Sequence, residues 1–211
     1  TVCAFFAILA VASITLYMII SGTPAIRKVG LKEILFTTVW APTAQTPRFG
    51  ILYVILTSVI GTVLAVCIGV PVGILTAVFL AEIADKRVAR IVKPAVELLA
   101  GIPSVVYGLL GIYLLNPLMF KLELWVFKDS PNHQFTGGAN LLSAVLVLAI
   151  MILPTVINIS EASIKAVHPS IKAASLALGA SHVQTIFKSI LPAARSGIVT
   201  AVVLGVGRAI C

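Results

Sequence analysis

The chain has 211 residues, of which 60% are hydrophobic and 10% charged, with a formal net charge of +8 and a mean hydropathy of +1.14. A soluble domain carries about a quarter charged residues, so this composition excludes a water-solvated globule and makes lipid the solvent for much of the chain. The positive charge is dispersed over short loops rather than gathered in a basic stripe, which excludes a nucleic-acid-binding module and suits cations placed near anionic headgroups.

Apolar runs alternate with polar connectors, and the length fits a single membrane domain over 1–211. The first run, Val2 to Ile20, lacks a basic leader and is longer than a usual signal core. It is predicted to be a transmembrane helix, with a signal peptide as the alternative. The sequence does not begin with Met, so further residues are expected upstream. A loop over 21–49 follows, carrying Pro24, Pro42, Pro47 and Trp40. It closes a first part, 1–49, ahead of a core over 50–211.

The second run spans Ile51 to Leu80. As a helix it rises about 45 Å, more than the ~30 Å hydrocarbon core requires. Gly69-Val70-Pro71 is predicted to break or kink it. A charged turn with Glu82, Asp85, Lys86, Arg87, Arg90 and Lys93 leads to a third span, Leu98 to Leu115. That span is interrupted by Gly101-Ile102-Pro103-Ser104. Such an interruption, with Gly108 beyond it, either frees backbone groups to line a substrate path or admits close helix packing through small residues. A polar stretch from Asn116 to Asn140 holds Trp125 as an interface anchor. The fourth span, Leu141 to Ile159, contains Pro154. Glu161 just beyond it is expected to be solvated at the membrane boundary. A polar island then runs to Gly197, and a last apolar run from Ile198 to Cys211 rises only about 21 Å. That is short of the hydrocarbon core, so a longer domain is expected, with five spans here.

The island is the most informative segment. Pro169 fits the first position of a helix opened by His168-Pro169-Ser170. Gly179 closes that helix, since glycine accepts the left-handed conformation past a helix end. Ser181 caps a second helix with Gln184 three positions on, as a capping box, and Pro192 is expected to end it. These signals predict a helix–glycine–helix hairpin over 161–197.

Arg208 is the residue singled out in the last run. A charge at a membrane helix centre costs about 2.5–3.5 kcal/mol, so such a residue is paired, functional, or snorkels to an interface. Its planar fork of donors suits a phosphate-like anion. There is no Walker A pattern and no Ser/His/Asp or Cys/His arrangement, so neither ATP binding nor catalysis is expected on this chain. Cys3, Cys67 and Cys211 lie in apolar stretches, and His133, His168 and His182 are scattered over loops. No metal and no cofactor are expected.

The island is similar to the cytoplasmic coupling loop of ABC importer permeases, written E-A-A, then G after three residues, then I-x-L-P after nine more. Here Ala173-Ala174-Ser175, Gly179 and Leu191-Pro192 occupy that pattern, with Ala173 in place of Glu and Ser189 in place of Ile. The segments "FGILYVILTSVIGTVLAVCIGVPVGILTAVFLAEIA" at 49–84, "KPAVELLAGIPSVVYGLLG" at 93–111 and "LPAARSGIVTAVVLGVGRAI" at 191–210 resemble the phosphate-specific permeases of the PstC type. So does the loop "GTPAIRKVGLKEILFTTVWAP" at 22–42.

The resemblance implies an all-α type-I ABC importer permease in a bacterial inner membrane, with about five of six spans present and a cytoplasmic coupling-helix loop. Two ATP-binding subunits, a second homologous permease and an external phosphate-binding protein are the implied partners. Ala173, Ala174, Ser175, Gly179, Leu191 and Pro192 would form the contact with the ATP-binding subunit, and Arg208 would lie on the substrate path. In that family a carboxylate follows the arginine four residues on; here Cys211 is the last residue. Another oxyanion, molybdate or sulfate, is the alternative substrate. A passive channel or an assembly protein is the alternative class. With the N-terminus inside, the two cytoplasmic loops hold eight Lys or Arg and the two external loops six. The positive-inside rule favours that orientation modestly, and the coupling-loop resemblance requires it.

Overall fold

A computed structural model describes residues 2–128, 130 and 133–210. The chain divides into two compact units, Thr1–Ser58 and Val59–Cys211.

In the first unit, α1 (Val2–Val29) continues well past the predicted end at Ile20 and carries Pro24 inside it. The turn before a proline loses a backbone bond, yet the apolar sequence through Ile26 sustains the helix. Gly30 ends it at φ 89°, a conformation that glycine adopts without steric cost. A short α2 (Leu31–Phe36) follows. Strands β1 (Trp40–Ala41) and β2 (Arg48–Phe49) then pair antiparallel, with Trp40 opposite Phe49. Their rings meet edge to face at 5.9 Å. The first turns of α3 (Leu52–Val78) close this unit.

The second unit holds the rest of α3, then α4 (Lys86–Ala100), α5 (Ser104–Leu110), α6 (Asn116–Val126) and α7 (Leu141–Lys165). Helices α8 (Pro169–Ala177), α9 (His182–Thr185), α10 (Leu191–Ala193) and α11 (Arg195–Ile210) complete it. Three π-helical segments, Phe79–Ile83, Gly111–Leu115 and Ile186–Ile190, interrupt the α pattern. Among the described residues four helical stretches are long and apolar enough to cross a membrane: Phe5–Val29, Leu52–Ile83, Ser104–Val126 and Leu141–Lys165. A bent pair, His182–Ala193 with Arg195–Ile210, makes a fifth if it counts as one span.

Gly69-Val70-Pro71 does not interrupt α3. The glycines there serve packing instead. Gly61, Ala65, Gly69, Gly73 and Ala77 recur every fourth residue and are buried, a small-residue face that lets a second helix approach closely. That neighbour is α7: a Cβ on Gly69 would lie 2.7 Å from Ile152, and one on Gly73 2.7 Å from Val156. On the far side of α7, a Cβ on Gly205 would come within 3.0 Å of the same Val156. Helix α7 is thus the axis of the unit, with Ile152 and Val156 fully buried. Gly73→Val forces a branched side chain onto Val156. A loss of about 1–3 kcal/mol is expected, read as a lower thermal unfolding midpoint of the assembled protein in detergent. Gly108→Ala, where a Cβ meets nothing within 4 Å, should leave the midpoint close to wild type.

Two further expectations are corrected. Pro192 does not end its helix: it occupies the first turn of α10, directly after the π segment Ile186–Ile190. The regular α bonding that a proline breaks is already interrupted there. The chain turns by 71° only between Ala193 and Arg195. Nor is Glu161 solvated. It is 3% exposed, because Val156, Ile157, Ser160, Glu161 and Ile164 share the inward stripe of α7. The lysines described below compensate its charge.

Candidate functional site

Helix α7 serves as a ruler for depth. Near its first turn, Ser143 Oγ donates to Asn116 Oδ1 at 2.6 Å. Further along, Arg208 Nη1 donates to Thr155 Oγ1 at 3.1 Å, and Nη2 donates to the carbonyls of Ala100 at 3.1 Å and Ile102 at 3.4 Å. Near its end, Glu161 Oε1 accepts from Lys165 Nζ at 2.5 Å, with Lys93 Nζ at 3.7 Å. Thr155 is twelve residues beyond Ser143 and Glu161 six beyond Thr155. At 1.5 Å per residue these levels are about 18 and 9 Å apart. The segment 93–116 therefore runs opposite α7 across about 27 Å, close to the thickness of a hydrocarbon core. Composition alone nominates Ser104–Val126 as the span. The contacts favour the stretch interrupted at Gly101–Pro103.

That interruption and Arg208 form one site. Helix α4 stops at Ala100 and α5 starts at Ser104, with Pro103 extended between them at ψ 142°. The last carbonyls of a helix carry partial negative charge and lack partners within it. The guanidinium satisfies one of them, on Ala100, together with the Ile102 carbonyl in the break, and Tyr107 Oη donates to another helix carbonyl, on Leu99, at 2.7 Å. Arg208 is therefore held at the break, and among the described residues it is not paired with a carboxylate. Of the five N–H donors of an arginine, three are engaged by the described residues, and two have no partner among them.

Thr155 adds another donor. Thr15, Thr57, Thr76 and Thr200 each give their hydroxyl proton to the carbonyl four residues back. Among the described residues Thr155 has no such bond. Its oxygen accepts from Arg208, and its proton is left over. A half-buried cation with spare N–H and O–H donors around it, at a break in a span, is chemically suited to an oxyanion. Sequence reasoning found Arg208 and the break separately and missed Thr155. Its signal was a hydroxyl beside Pro154 within the apolar stretch Ala144–Ile157.

The hairpin has the predicted construction. Ser170 N donates to His168 Nδ1 at 3.3 Å ahead of Pro169, and Gly179 sits at φ 84°. Ser181 and Gln184 exchange the two bonds of a capping box, at 3.2 and 3.0 Å. Ala173, Ala174, Gly179 and Pro192 are exposed, while Ser175 and Leu191 are half-buried. Leu191 packs inward on the cluster of Ala77, Val78, Ile164, Ile186, Ile190 and Ala194. Ser175 Oγ lies 3.0 Å from Thr185 Oγ1 and 3.3 Å from Ser189 Oγ. Ser189, a position that departs from the coupling-loop pattern, is thus bonded to Ser175. At the tip, Leu178 is 90% exposed and Val183 62%, an apolar end that water alone does not favour.

The family model for the binding-protein-dependent transport system inner membrane component matches residues 69–210, and the chain belongs to that family. It is 39% identical over 211 residues to the probable ABC transporter permease protein YqgH of Bacillus subtilis, covering 99% of this chain and 65% of that protein. It is 31% identical over 214 residues to the phosphate transport system permease protein PstC 2 of Mycobacterium tuberculosis (96% and 65%). With the PstC protein of Haemophilus influenzae the identity is 32% over 208 residues (94% and 65%). The chain therefore spans 65% of the length of these relatives. In fold it is similar to a chain of the MetNI methionine ABC transporter in inward-facing conformations, with a TM-score of 0.51 and 21% identity over 76% of this chain and 68% of that one. The protein is an all-α, multi-pass inner-membrane component with the fold of ABC permeases.

Proposed function

We propose that this chain is the PstC-type permease subunit of an ATP-driven importer of inorganic phosphate. An external binding protein delivers the anion, a second homologous permease completes the path, and two ATP-binding subunits drive it from the cytoplasm. Arg208 supplies the permanent positive charge on the path, with Thr155 beside it and the broken span opposite. The chain itself performs no hydrolysis. The PstC relatives support the substrate, and the donor cluster at Arg208 is the observation that carries it.

The hairpin 161–197 is the docking element on this reading. Ala173, Ala174, Ser175 and Gly179 lie on or beside its outer arm, and the exposed Leu178 and Val183 form its apolar tip. Leu191 and Pro192 act from behind, by fixing the second arm against α3. Affinity capture of the tagged permease should retain an ATP-binding subunit, and Leu178→Asp should reduce its recovery about tenfold by placing a charge in an apolar contact. Equal recovery with Leu178→Asp would remove the tip from the docking surface. No ATP-binding subunit with the wild type would favour the passive-channel alternative.

A further inference from the structure

We propose that the Glu82–Lys172 ion pair is the link that delivers movement of α8 to the end of the second span. The inference rests on the ATP-driven reading above and names positioning residues within it. Lys172 lies on α8 and Glu82 on the π segment Phe79–Ile83 that ends the α3 span. Lys172 Nζ donates to Glu82 Oε2 at 2.5 Å. Ninety residues separate the partners in sequence, so the pair is a tertiary link and not a local helix pairing.

The two arms of the hairpin are held in different ways. The second arm is anchored by apolar burial: Ile186, Ile190 and Ala194 cluster with Ala77 and Val78 at the end of α3. The first arm, α8, buries none of its residues. Among the described residues its side-chain bonds to other elements are those of Ser175, to the second arm, and of Lys172, to Glu82. Among the described residues the Lys172–Glu82 pair is therefore the ion pair that ties α8 to the span. The Glu82 side chain is 12% exposed and that of Lys172 38%, so solvent and salt screen the pair less than a surface bridge. Glu161, Lys93 and Lys165 form a separate cluster and do not substitute for it. Glu82 also sits on a π segment, where i→i+5 bonding replaces the regular α pattern. A pull on its carboxylate can thus reshape the end of the span.

The test uses the assembled transporter in proteoliposomes with its binding protein, comparing wild type, Glu82→Lys, Lys172→Glu, the double reversal and the milder Glu82→Gln. Phosphate moved per ATP hydrolysed and hydrogen exchange of the amides over 169–177 are read together. The single changes should lower the transport-to-hydrolysis ratio about three- to fivefold while ATP hydrolysis persists, and should speed exchange over 169–177. The double reversal should restore both. An unchanged ratio in Glu82→Gln and Lys172→Glu, or a loss that the double reversal does not repair, would overturn the proposal. If the wild type hydrolyses ATP but moves no phosphate, the substrate reading fails instead. Exchange over 169–177 then decides the link by itself, and unchanged exchange in the single variants rejects it.

Discussion

Arg208→Gln is expected to lower ATP-driven phosphate uptake about 100-fold, the scale of removing one partner of a buried charge pair. The amide keeps some hydrogen bonding to Thr155 and the Ala100 carbonyl, yet it offers no charge against the cost of desolvating an anion. Arg208→Lys keeps the charge but loses the planar fork that reaches Ala100 and Ile102 together. It should retain partial transport, roughly a tenth of wild type. Both variants should still capture the ATP-binding subunit, since the hairpin is untouched. Labelled phosphate uptake, normalised to assembled complex, separates these outcomes. Wild-type uptake in Arg208→Gln would reduce the residue to a clasp on the broken span and remove it from the anion path.

Gly179→Val should reduce uptake about tenfold or more while the protein still inserts and folds its spans. The cause is the backbone alone. Gly179 sits at φ 84°, where a branched side chain costs about 1–2 kcal/mol or more, and a Cβ there would meet nothing within 4 Å. The strain should open the angle between α8 and the capped second arm, which carry the proposed docking surface between them. Gly179→Asn is the discriminating partner, because asparagine tolerates the left-handed region. It should keep most of the uptake. Equal loss in the Asn and Val variants would mean that the side chain obstructs the partner and that the turn is not the sensitive feature.

The hairpin was legible because its signals are local. A proline at a helix start, a glycine at its end and a Ser-x-x-Gln cap each act within four residues, and each is present in the fold. The spans were legible as apolar runs, but their ends were not. Helix α1 continues through Pro24 to Val29, and the helical stretch beginning at Ser104 continues to Val126, because helix formation persists past the apolar run.

Tertiary pairing hid the rest. Glu161 reads as a boundary carboxylate, and its burial follows from the inward stripe of α7, with Lys165 one turn on at 2.5 Å and Lys93, far back in the sequence, at 3.7 Å. Thr155 acquires meaning only once Arg208 is seen to reach it. The four-residue recurrence of small residues from Gly61 to Ala77 was present in the sequence. It marks the face of α3 that α7 occupies, where Gly69-Val70-Pro71 suggests a kink.

The most direct test of the central claim is uptake of labelled phosphate into proteoliposomes containing this permease with its ATP-binding subunits, second permease and binding protein. Accumulation should require both ATP inside the compartment that faces the hairpin and the binding protein on the opposite side, and should exceed the level set by equilibration. Phosphate movement that ignores ATP and stops at equilibration, or ATP-driven accumulation of sulfate or molybdate in place of phosphate, would contradict the account.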